Sequence, residues 1–109
     1  MTDYIQVDLT TPTPEVAQAI AERLLADRLA ACVQIAGPIE SRYRWQGKLE
    51  VAQEWQCTVK SRLDLFPRLE AVVRTLHPYD VPEILATPVT DGHAAYLAWL
   101  DHELAPANP

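Results

Sequence analysis

Residues 39–59 read IESRYRWQGKLEVAQEWQCTV, and the way this stretch pairs with itself decides the fold. Ile39, Tyr43 and Trp45 occupy odd positions before Gln46-Gly47-Lys48, and Leu49, Val51, Trp55, Cys57 and Val59 occupy odd positions after it. Period-two alternation on both sides of a glycine-bearing turn predicts a β-hairpin. With Val33 and Ile35 included, each arm is about a dozen residues long, where an ordinary strand has about five or six. Register adds a constraint. A two-residue loop pairs odd positions with even ones and sends the two apolar sets to opposite faces. The pattern therefore calls for a three-residue loop or a bulge near Gly47, or else for both faces of the hairpin to be covered. Gly37-Pro38 interrupts the first arm and predicts a bulge or bend there. Arms of this length overhang a 109-residue domain, so Tyr43 and Trp45 near the tip predict packing on another subunit.

Working outward, IQVDLT at 5–10 alternates strictly and reads as a half-buried strand. Thr13-Pro14-Glu15 supplies an N-cap, a proline in the first turn and an early carboxylate, which start a helix over 14–28. A second helix is predicted over 64–76, with Asp64 as N-cap and Pro67 in its first turn. It stops at His77-Pro78, because the residue before proline is pushed out of the α region. EILATPV at 83–89 reads as a short strand, Asp91 as the cap of a last helix carrying Tyr96, Leu97, Leu100 and Leu104, and residues 105–109 as a frayed tail. The order βαββαβ plus a terminal helix predicts one α+β domain over 1–109. Its architecture is a ferredoxin-like sandwich, an antiparallel four-stranded sheet with both helices on one face.

Composition excludes more than it identifies. Hydrophobic residues at 49% and charged residues at 22% are ordinary for a globular chain. A net charge of −6 argues against nucleic acid as a partner, since such binding rests on neutralising phosphates. The RNA-recognition motif shares this element order but needs basic and aromatic residues on its third strand. Here that strand reads LEVAQEWQCTVK, acidic on its polar parity. No apolar stretch approaches the roughly 20 residues that cross a bilayer, so no membrane partner is expected. The start MTDYIQ lacks the features of a signal peptide, and Cys32 and Cys57 lack metal or redox spacing. These features predict a cytoplasmic protein with two free thiols.

The chemistry-bearing stretch is HPYDVPEIL at 77–85. His77 is placed to satisfy the terminal carbonyls of the second helix, or to serve as a metal ligand or proton-transfer group assisted by Glu83 or Asp80. Pro78 and Pro82 stiffen the connector between them. Cys32 reads as a small buried hydrophobe, or as a thiolate if a base such as His77 lies within reach. Lys60, Arg62 and Arg68 bracket the start of the second helix; without a glycine-rich loop a solvated rim is the simpler reading than an anion site. No pair of groups has a context that tunes pKa values and no oxyanion-forming loop is evident, so an enzyme is not expected.

Taken together, LAACVQI (29–35), SRYRWQGKLE (41–50), VKSR (59–62), HPYDVPEI (77–84) and YLAWL (96–100) resemble the CutA divalent-cation tolerance proteins across nearly the whole chain. The resemblance implies a ferredoxin-like fold and a homotrimer joined through the 39–59 hairpin, with a trimer architecture like that of PII signalling proteins. It implies weak binding of copper or another divalent cation, with His77 and Glu83 as ligands and no organic cofactor. Cys32, Tyr43, Trp45, Glu50, Lys60 and Tyr79 would line a cleft between subunits. An alternative implied by the PII likeness is a module that holds a small anionic metabolite with Lys60 as counter-charge. Some family members carry a cysteine in the first strand and a histidine before HPY. The corresponding positions here are Leu9 and Leu76, which cannot bind a metal.

Overall fold

The computed structural model describes residues 3–107. Its elements are β1 (Tyr4–Thr11), α1 (Pro14–Ala26), β2 (Cys32–Trp45), β3 (Lys48–Arg62), a 3-10 turn (Leu63–Leu65), α2 (Phe66–Leu76), β4 (Ile84–Pro88) and α3 (Ala94–Glu103). The strands form one antiparallel sheet in the order β2-β3-β1-β4.

Odd positions of β1 and β3 point to one face of this sheet. Ile5, Val7, Leu9, Cys57 and Val59 meet Ala17, Ile20 and Leu24 of α1 and Leu69 and Val73 of α2 there, in a single buried cluster. Even positions, among them Gln6, Asp8, Gln56, Thr58 and Lys60, lie on the other face, which α1 and α2 leave uncovered. The α1 start follows the sequence: Thr13 is extended and its hydroxyl accepts the Val16 N–H at 3.2 Å. The helix ends at Ala26, two residues before the expected 28. Arg28 turns left-handed at φ 56°, and the N–H groups of Leu29 and Ala30 bond back to the Leu24 carbonyl.

Two expected caps are absent. Asp64 lies within the 3-10 turn, its carboxylate engaged by Arg62 at 2.6 Å, and α2 begins only at Phe66 without a side-chain cap. Asp91 accepts the N–H of its neighbour Gly92, and α3 begins three residues later after an uncapped His93. Both carboxylates found nearer donors. The tail expected over 105–109 is anchored at its first residue: the Ala105 N–H donates to the Arg28 carbonyl at 2.8 Å, and the Ala105 carbonyl accepts from Arg62 at 2.7 Å. Asn108 and Pro109 lie outside the described residues.

The hairpin removes two of the three register alternatives. Its loop has two residues, Gln46 and Gly47, both at positive φ (49° and 78°), the type I′ geometry that matches strand twist. Neither a three-residue loop nor a bulge occurs at Gly47. Tyr43 lies opposite Glu50 and Trp45 opposite Lys48. The register shift falls at the base, between Ala36 and Ile39, at the Gly37-Pro38 interruption where a bulge or bend was expected, and β2 carries one extra residue there. Below that bulge Val33 and Ile35 pair with Val59 and Cys57 on the core face; above it the odd residues of β2 change face. Tyr43 and Trp45 therefore stand on the face opposite to Leu49 and Val51. All four are exposed in the single chain, Leu49 at 76% and Val51 at 58%. The hairpin stretches the molecule to 43 Å, and its radius of gyration of 14.6 Å exceeds the roughly 13 Å of a compact domain this size.

Candidate functional site

The stretch 77–83 leaves the end of α2 and passes over the end of β1 before β4 begins. His77 closes α2 with its backbone N–H on the Val73 carbonyl at 2.8 Å, and its own backbone is extended, as a residue before proline requires. Its side chain does not cap the helix. The buried ring donates from Nε2 to the Thr10 carbonyl of β1 at 2.7 Å and accepts the Tyr79 N–H at Nδ1, 3.2 Å away. Both ring nitrogens are thus committed to backbone groups, a pairing that fixes the Nε2–H tautomer. The imidazole is a clamp between connector and sheet. A metal ligand needs a free ring nitrogen, and a general base needs one as well, so neither role fits His77 in this geometry.

The clamp aims Tyr79. Its ring stands 4.7 Å from the imidazole, tilted by 53°, and its hydroxyl donates to Glu54 Oε2 at 3.2 Å. Glu54 is buried at 5% exposure, and the phenol supplies the hydrogen bond a buried carboxylate requires. Partial burial and the nearby Glu54 carboxylate raise the Tyr79 pKa above its ordinary value, and Tyr43 adds to the effect. Glu83 follows the connector just before β4. Partial burial, then the charges of Glu54 and Asp8, push its carboxyl above the usual carboxylate range. The sequence patterning placed Glu54 among the polar positions of β3 and did not single it out. Nothing local in the sequence marks it, because what buries it arrives from residue 79.

The remaining expected cleft residues separate into two groups. Tyr43 and Glu50 face each other across the outer hairpin with Trp45 beyond them, on the same side as Glu54, and Tyr43 is within electrostatic reach of Tyr79. Cys32 and Lys60 form a cross-strand pair at the base, six residues along β3 from Glu54, about 20 Å at the usual strand rise. The chain does not bring all six into one cleft. Cys32 is half-buried rather than fully buried, close enough to Tyr96 of α3 to help burial raise that phenol's pKa. It points away from Cys57, which lies in the core and whose thiol burial pushes up to about 11. Lys60 makes a single long contact, 3.5 Å to Gln34 Oε1.

Arg62 is not part of a solvated rim. Buried, it grips Asp64 through Nε and Nη2, Asp101 through Nη1 at 3.1 Å and the Ala105 carbonyl, and so ties α3 to the sheet. These hydrogen bonds hold the Asp64 carboxyl below its ordinary range. Leu9 is buried in the core and Leu76 packs against it, so hydrocarbon fills the positions that would have extended a His77 ligand set. Among the described residues, no three His, Cys, Asp or Glu side chains are grouped so as to hold a metal ion. The expected His77 and Glu83 pair is therefore not a preformed metal centre within one chain.

Residues 5–103 match the family described as CutA1 divalent ion tolerance protein. The chain is 48% identical over 92 residues to the divalent-cation tolerance protein CutA of Thermus thermophilus, covering 84% of this chain and 89% of that protein. It is 40% identical over 102 residues to the protein of the same name from Pectobacterium atrosepticum, covering 94% and 93%. Its backbone superposes on the crystal structure of CutA1 from Oryza sativa with a TM-score of 0.92 at 37% identity, covering 94% of each chain. The α+β fold, with a four-stranded antiparallel sheet and three helices among the described residues, matches that structure, and the chain belongs to the CutA1 divalent ion tolerance family.

Proposed function

We propose that this chain is a cytoplasmic, ferredoxin-like subunit of a homotrimer that takes up divalent cations, copper among them, weakly and at a cleft between subunits. The observation that carries the reading is the outer hairpin. Above the Gly37-Pro38 bulge it presents Tyr43 and Trp45 on one side and Leu49 and Val51 on the other, all solvent-exposed in the isolated chain. Contiguous apolar surface on both sides of a projecting ribbon is ordinarily covered by protein. Charge supports the same partner. Arg42, Arg44 and Lys48 outnumber Glu40 and Glu50 at the tip, while the chain as a whole carries −6, so a basic hairpin meets an acidic body when copies associate.

The cation would sit near Glu83, whose carboxyl already feels the negative charges of Glu54 and Asp8, and a second subunit would complete its ligand set. His77 is left to its structural task. The same reading treats the protein as a binding module rather than an enzyme. Cys57 is buried, and Cys32 has no hydrogen-bonded base among the described residues. The free thiols fit a reducing compartment. A second reading, a PII-like module for a small anionic metabolite, is favoured by Lys60, whose ammonium has no carboxylate partner among the described residues.

Native mass spectrometry and calorimetric titration with Cu²⁺ test the proposal together. A trimer is expected, with weak Cu²⁺ binding that Glu83→Gln reduces. A monomeric mass would overturn the subunit reading, and identical titrations for wild type and Glu83→Gln would remove the cation from this cleft. Stabilisation by anionic metabolites that Lys60→Ala abolishes, without any Cu²⁺ heat, would favour the second reading.

A further inference from the structure

An open groove of about 540 Å³ runs between the last turns of α2 and the 77–82 connector. Its volume lies within the range of small-molecule sites. One wall is helical and carries Arg74; the other carries Pro78, Tyr79, Asp80 and Pro82. The second wall is stiff. The prolines fix φ at two positions, and Tyr79 is held from both ends, by its N–H on His77 and its hydroxyl on Glu54. A ligand would find this wall already formed, with little ordering left to oppose binding.

Two opposite charges face this groove without satisfying each other. Arg74 and Asp80 both line it, yet neither side chain forms an ion pair or hydrogen bond with the other or with any described residue. The groove also opens at the carbonyl end of α2, which carries the negative pole of the helix. Arg74 offers a planar fork suited to a carboxylate, whereas Asp80 and the helix end favour an ammonium group. Pro78, Pro82 and Tyr79 line the same groove and give it a limited apolar surface. The required ligand therefore carries both charges on a small frame with a hydrophobic side chain.

We propose that this groove binds a free α-amino acid with an apolar or aromatic side chain. The carboxylate pairs with Arg74, the ammonium lies at Asp80 and the α2 carbonyls, and the side chain rests on Tyr79 and the prolines. All of its lining residues belong to one chain.

The test is an amide NMR titration of the full chain with L-phenylalanine and L-leucine, compared with N-acetyl-L-phenylalanine and L-phenylalaninamide. The free amino acids should shift amides between residues 71 and 82, and each blocked analogue should bind about tenfold more weakly for its lost charged contact. Arg74→Gln should erase the preference over the amide, and Asp80→Asn the preference over the N-acetyl compound. Both side chains lack partners among the described residues, so the variants should keep the wild-type spectrum elsewhere. No shift with either free amino acid, or equal binding of free and blocked forms, would overturn the proposal and leave the groove as solvated surface.

Discussion

A methyl group at position 37 would stand 2.7 Å from Cγ of the Trp55 indole, well inside van der Waals contact. Only glycine lets the bulged strand pass this ring, and the bulge is what turns the outer β2 residues to the opposite face. Gly37→Ala should destabilise the fold by roughly 1–3 kcal/mol, the usual range for overpacking, read as a lower urea midpoint at fixed protein concentration. The two thiols also separate at this scale. With its pKa near 11, Cys57 is about one part in a thousand thiolate at pH 8, and it is buried besides. Native protein treated with iodoacetamide should therefore label at Cys32 alone, and label at both positions once unfolded.

At the scale of elements, α3 is held by arginines more than by its own burial. It places Leu100 in the core, while Tyr96 and Trp99 remain exposed, and Arg62 and Arg28 grip its C-terminal half and the residues after it. Asp64 is the carboxylate that Arg62 holds most closely, and its folded-state pKa is depressed. Such a group adds stability that is present above its unfolded pKa, about 3.9, and lost as pH falls through the lower folded value. Asp64→Asn should therefore lower the melting temperature at pH 7, and the gap to wild type should close below about pH 4. A gap that persisted in acid would mean that the carboxylate charge is not what orders this junction.

At the scale of the whole molecule, the hairpin is the surface left over when one chain has folded. Leu49 and Val51 belong to no buried cluster of their own chain, so charging them leaves the core intact. The double variant Leu49→Lys, Val51→Lys should reduce the native mass toward that of a monomer while keeping the far-UV circular dichroism. A full-mass assembly from this variant would show that the β3 side of the ribbon is not covered by another copy.

The element order was legible from the chain because period and punctuation are local properties: the alternation in 5–10 and 49–59, Thr13-Pro14, His77-Pro78. The dimensions of the hairpin were legible too, since length and aromatic content need no partner to be read. The bulge at Gly37-Pro38 was legible as well, but not that it alone carries the register shift while Gln46-Gly47 closes a regular two-residue turn, because Trp55 packing against Gly37 is a contact across strands. The site divides in the same way. The sequence marked His77, Tyr79 and Glu83 as a rigid cluster of functional residue types. Tertiary structure alone decided that both nitrogens of His77 would be taken by Thr10 and Tyr79, and that Glu54 would be buried beneath the phenol. Hydrogen-bond capacity is used up by whichever groups the fold brings within about 3.2 Å, and that is settled by how β1, β3 and the connector meet in space.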